Sequence, residues 1–84
     1  MQQAQAAPEK GAISTLREAL LQAQRQGLAR LDAHMLLLHS LGRSPHDRAW
    51  LLAHDDDALP ADTLVRYQAL CQQRAAGVPV AYLT

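Results

Sequence analysis

Apolar residues recur along this chain three and four positions apart rather than two, and each run closes on a glycine or opens after a proline. That is the period of amphipathic helices, not of strands. In "STLREALLQAQRQG", Leu16, Leu20 and Ala23 share one face. Thr15 and Glu18 have the spacing of a capping box, and Gly27 supplies a left-handed stop. The pattern predicts a first helix over Thr15 to Gln26. "LARLDAHMLLLHSLG" carries Ala33, Leu36, Leu37 and Leu41 on a wide stripe that Met35 and Leu38 widen further. A helix apolar over so much of its circumference is the most enclosed one of a bundle, and Gly42 ends it.

Two more helices follow. "SPHD" reads as a start, with Ser44 as N-cap, Pro45 at the first helical position and Asp47 near the positive end of the dipole. A short third helix is therefore expected from Pro45 to about Ala53. "HDDDALP" is a solvated loop beside a helix start. Pro60 and Asp62 open a fourth helix, in which Leu64, Tyr67, Cys71 and Ala75 align, and Gly77 closes it. Leu20, Leu36, Leu37 and Leu64 are the expected core. The short connections make neighbours antiparallel or nearly so. The expected fold is all-α: a small bundle of four helices over residues 14–77, plus a short C-terminal helical turn.

Both ends of the chain depart from this pattern. "MQQAQAAPEKG" is polar, rich in Gln and Ala and broken by Pro8 and Gly11, so residues 1–13 read as a disordered leader. "GVPVAYLT" is apolar where termini are normally polar, so it should dock against something. Pro79 sets φ for a first turn that places Val80 and Leu83 against the bundle. Tyr82 then points elsewhere, and Thr84 lies at a frayed end.

Composition adds exclusions. Among β-branched aliphatic residues the chain has only Ile13, Val65, Val78 and Val80, too little material for a sheet. Eight basic residues balance eight acidic ones without a basic cluster, which argues against nucleic acid and anionic membranes as partners. Cys71 is the only cysteine, so no internal disulfide can form, and a cytoplasmic location is expected. The N-terminus lacks the apolar stretch of a signal peptide, and no window is long enough for a membrane span.

Candidate chemistry is sparse. His34 and His39 are five apart and face different ways, and no Cys-x-x-Cys or His-x-x-x-His pair exists, so no metal site is expected. Cys71 reads as a small core residue rather than a nucleophile. A helix-turn-helix over Ala33 to Ala53 would offer His46, Asp47, Arg48 and Trp50 to a DNA groove, but Asp47 opposes phosphate.

Two stretches carry a resemblance. "RLDAHMLLLHSLG" resembles the Arg-x-Asp-Ala-x-x-Leu-Leu signature of the HemK (PrmC) protein-(glutamine-N5) methyltransferases, on Arg30, Asp32, Ala33, Leu36 and Leu37. "RAAGVPVAYLT" resembles that family's Arg-x-x-Gly-x-Pro-x-x-Tyr-Leu-Thr segment, on Arg74, Gly77, Pro79, Tyr82, Leu83 and Thr84. Val78 stands where the family often has glutamate. The resemblance implies an N-terminal helical bundle preceding a catalytic domain that binds S-adenosylmethionine and methylates the glutamine of the Gly-Gly-Gln motif in class 1 peptide chain release factors. The family's glycine-rich cofactor loop and Asn-Pro-Pro-Tyr motif are absent from these residues, so no catalytic, cofactor or metal residue carries over.

On this reading residues 78–84 begin the linker to the methyltransferase domain, which meets the bundle through Pro79 to Thr84. The bundle is a monomer that helps to position the release factor. Arg30, Trp50, Arg74 and Tyr82 are the candidate partner-binding residues. Asp32, at the start of its helix, reads as structural. The alternative is a stand-alone helical interaction module.

Overall fold

The computed structural model describes residues 13–84, so the expected leader lies almost wholly outside the described residues. Five helices follow in order: α1 (Leu16–Arg25), α2 (Arg30–Ser40), α3 (Arg48–Ala53), α4 (Ala61–Ala75) and α5 (Val80–Leu83). Among the described residues there is no strand beyond one isolated bridge between Thr15 and Ala58.

The centre of the bundle is α2, which packs against each of the other four helices. Leu36, Leu37 and Leu38 are consecutive and all fully buried, which requires a helix covered over more than half of its circumference, with Leu31 and His39 on the strip left open. Around it close Leu16, Ala19, Leu20 and Ala23 of α1, Leu51 of α3, and Tyr67 and Cys71 of α4. Each buried leucine contributes on the order of 1.5–3 kcal/mol of transfer free energy. The Tyr67 hydroxyl donates to the Ala33 carbonyl at 3.0 Å, so the largest core side chain enters without leaving its polar end unpaired. Between α4 and α1, the Gln68 amide donates to that of Gln22 at 3.0 Å.

Three helices stop in the same way. After α1, Gly27 has φ 103° and donates to the Gln24 carbonyl, while Leu28 donates back to Ala23. Gly42 and Arg43 repeat this after α2, as do Gly77 and Val78 after α4. These are Schellman closures, and the left-handed conformation they require explains glycine at all three positions.

The start of α1 is closed by two separate devices. The capping box is present: Thr15 Oγ1 accepts from the Glu18 N–H at 3.2 Å, and Glu18 Oε1 accepts from the Thr15 N–H at 3.1 Å. Glu18 also accepts from the Ser14 N–H and hydroxyl. The two donors between, Leu16 and Arg17, bond to the carbonyls of Asp57 at 3.1 Å and Asp55 at 2.8 Å. All three first-turn N–H groups are thereby paired. The aspartate loop is thus a backbone cap for α1, not a free solvated segment. Leu59 seals it by donating to the Ser14 carbonyl and burying its side chain.

Some expectations need correction. The third helix begins at Arg48 rather than Pro45. Residues 44–47 form a turn, in which Asp47 donates to the Ser44 carbonyl and the Ser44 hydroxyl accepts from His46. Asp47, at φ −89° and ψ 29°, departs from helical geometry and reaches back to Arg43. Pro60 and Pro79 stand before their helices as extended N-caps rather than inside the first turn. On α4, Leu64 is only half-buried and Ala75 is exposed, because the core-facing stripe runs through Thr63, Tyr67 and Cys71.

The tail is ordered as a single helical turn. Val80 and Leu83 pack against the core and Tyr82 points outward. Thr84 is not frayed: both its N–H and its hydroxyl donate to the Val80 carbonyl. Ile13, assigned to the leader on its sequence, is half-buried against the core.

Candidate functional site

The four candidate partner-binding residues fall on different parts of the surface. Arg30 is exposed at the first residue of α2. Arg74, near the end of α4, donates through Nε to Asp32 Oδ2 at 3.0 Å, tying the start of α2 to the close of α4. This pair stands in an open groove of about 320 Å³ that Gln26, Leu28 and Gly77 also line. Both members of the pair are thereby engaged within the bundle, in keeping with a structural Asp32. Tyr82 is 83% exposed on α5 and is the most exposed large apolar residue described.

Trp50 sits in the densest arrangement of polar and aromatic groups. It is half-buried on α3 and stacks on His54 one turn later, with ring centroids 4.4 Å apart and planes 16° apart. The His54 ring holds the Trp50 carbonyl through Nδ1 at 2.8 Å, so the helix end and the stack fix each other. The Arg43 guanidinium lies over the indole, 3.7 Å from the ring centroid, and its Nε pairs with Asp47 at 3.4 Å. A cation so placed is attracted by the indole face and loses little further freedom when it meets a partner. The i,i+4 spacing of Trp50 and His54 is readable from sequence. The return of Arg43 across the turn is not, because it depends on how the chain bends at residues 44–47.

Arg43 also lines a small cleft of about 70 Å³, together with Met35, His39, Pro45 and Thr84. A third, shallower groove runs between α2 and α4 past His39, Ser40 and Leu70, where Arg66 donates to the Ser40 carbonyl at 3.3 Å.

Two buried groups have shifted titration. His34 is 2% exposed, and its Nδ1 has no hydrogen-bond partner among the described residues. Burial lowers its pKa from the ordinary 6.5, and the nearby charges of Arg30 and Arg48 lower it further. Burial raises the Cys71 thiol, which disfavours the thiolate a nucleophile would need. Among the described residues no three of His, Cys, Asp and Glu come together as a metal site would require, and no helix is long and apolar enough to cross a membrane. The chain has four glycines; three are helix stops and the fourth is Gly11. No glycine-rich turn follows a strand among the described residues.

Comparison with known proteins agrees with the fold and the motifs. The family model for the PrmC N-terminal domain matches residues 12–84. The release factor glutamine methyltransferase of Xylella fastidiosa (strain Temecula1) is 51% identical over 65 residues, which are 77% of this chain and 22% of that protein. Its counterpart from Bordetella pertussis is 51% identical over 57 residues, 68% of this chain and 20% of that protein. That of Burkholderia pseudomallei is 48% identical over 54 residues, covering 64% and 18%. The chain thus spans about a fifth of the length of these relatives. No solved structure gave a significant match. With the family model covering every described residue, the chain belongs to the PrmC N-terminal domain family.

Proposed function

We propose that this bundle is the release-factor-recognition part of a release factor glutamine N5-methyltransferase. It holds a class 1 release factor so that the glutamine of its Gly-Gly-Gln motif reaches a catalytic domain outside these 84 residues. The observation that carries the reading is the 51% identity to enzymes of that name over 65 residues, with this chain spanning about a fifth of their length. The bundle offers surface rather than a reaction centre: Cys71 is buried in the core, and the Arg74–Asp32 pair ties α4 to α2. S-adenosylmethionine belongs to the catalytic domain in this reading, and no step of the methyl transfer runs through the residues described. Pro79 to Thr84 would join the two parts, with Val80 and Leu83 on the bundle and Tyr82 turned toward the neighbour.

The test is kinetic. Removing residues 1–84 from the full-length enzyme should raise KM for intact release factor and leave KM for S-adenosylmethionine where it was. Loss of positioning without loss of chemistry has this signature. An unchanged KM for release factor would refute the assignment.

A further inference from the structure

We propose that the cleft beside Arg43, with the Trp50 stack behind it, is where the bundle takes a carboxylate-bearing segment of its protein partner. This rests on the release-factor reading and adds the face and the chemistry of contact.

Four observations converge there. First, charge is unevenly distributed although the chain is neutral overall. Residues 33–54 carry Arg43 and Arg48 against the single acid Asp47. The aspartate run begins only at Asp55, and Asp55 and Asp56 are paired with Arg17. Second, Arg43 is held in place but not used up. Its plane lies on the indole and its Nε is on Asp47, while among the described residues no acceptor bonds its two terminal nitrogens. A guanidinium with both terminal nitrogens unbonded suits a carboxylate, which it can grip with two parallel bonds. Third, the cleft has a matching shape: about 70 Å³, with Met35 as an apolar wall and His39 beside Arg43, enough for the end of one acidic side chain. Fourth, Thr84 lines the same cleft. On the proposed architecture the site therefore adjoins the catalytic domain, where a substrate gripped by both parts must lie.

A peptide carboxylate suits the site better than a nucleic-acid phosphate. Asp47, 3.4 Å from Arg43, would repel a run of phosphates, whereas one acidic side chain needs only the free edge of the guanidinium.

The experiment compares variants of the full-length enzyme acting on intact release factor. Arg43→Glu should raise KM for release factor tenfold or more, with kcat and KM for S-adenosylmethionine unchanged. Arg43→Lys, which keeps the charge but loses the fork and the flat stack, should fall between. Arg25→Glu, an equal charge reversal at an exposed position on α1, should do nothing. An unchanged KM in Arg43→Glu overturns the site. If removal of residues 1–84 still raises KM, the release-factor reading stands without it; if neither change moves KM, both fall. An unchanged thermal unfolding curve of the full-length Arg43→Glu variant distinguishes lost contact from local unfolding of the bundle. Tight binding of a random 20-nucleotide RNA by the wild type, lost in Arg43→Glu, would overturn the protein-partner assignment in favour of nucleic acid.

Discussion

The beginnings of α1 and α3 answer the same need in opposite ways. At α1 every first-turn donor has a partner, one in a side-chain box four residues long and two on carbonyls of a distant loop. At α3 no side chain caps the helix, which has six residues and one fully buried side chain, Leu51. An isolated helix of that length is unstable in water, so α3 exists because Leu51 and Trp50 pack on α2. One helix is specified at its end, the other by its face.

The contrast breaks most visibly in the core. Leu51→Ala should cost about 2–5 kcal/mol and release α3 as a unit, because its ends keep only the Arg43–Asp47 pair and the bond between His54 Nδ1 and the Trp50 carbonyl. Chemical denaturation gives the loss, and amide exchange should place it in residues 44–54. A cost below about 1 kcal/mol would mean that α3 is held by its ends after all. At α1 the corresponding change is Thr15→Ala, which should cost about 0.5–2 kcal/mol by removing the acceptor of the Glu18 N–H. With the loop carbonyls still in place, α1 should fray only over its first turn.

Acid should separate the two regions without mutation. His34, near Arg48 of α3, has a lowered pKa in the folded state, so the unfolded chain binds the proton first. Stability should therefore be full above pH 6.5 and fall as pH drops through 6.5 toward the folded value. Glu18 is also lowered, chiefly by the bond from the Ser14 N–H, so its contribution should persist until pH falls below 4.5. Melting temperature followed from pH 8 to 3 should show two declines, and His34→Gln should remove only the upper one. The smallest effect is expected for Ser44→Ala. This serine accepts within a turn rather than capping a helix, and the loss should stay below about 0.5 kcal/mol, the usual range for surface changes.

The same contrast explains what the sequence could convey. Gly27, Gly42 and Gly77 were legible as stops because a Schellman closure is complete within six residues, and the Thr15 to Glu18 box is just as local. The enclosed character of α2 followed from its wide apolar stripe. The onset of α3 was misplaced because Ser44 and Pro45 serve a tight turn equally well, and the choice rests on Asp47 reaching Arg43. Leu64 was overrated because the position of Tyr67, fixed by the Ala33 carbonyl, decides which face of α4 turns inward. Of the candidate surface residues, Trp50 could be singled out by its type. Its partner Arg43 could not, since six intervening residues must bend before the two meet.

The pairing of α1 with the aspartate loop also bears on the order of events during synthesis. The Arg17 and Asp55 side chains that meet are 38 residues apart, and the backbone bonds from Leu16 and Arg17 bridge similar separations. Closing such a loop carries an entropic cost before any contact repays it. As the chain emerges from the ribosome, α1 can close its Thr15 box at once, but two of its first donors must wait for water to be displaced by the arriving loop. The N-terminal helix of this bundle is the first to be made and among the last to be finished, and a stall in translation before Leu59 would leave it open.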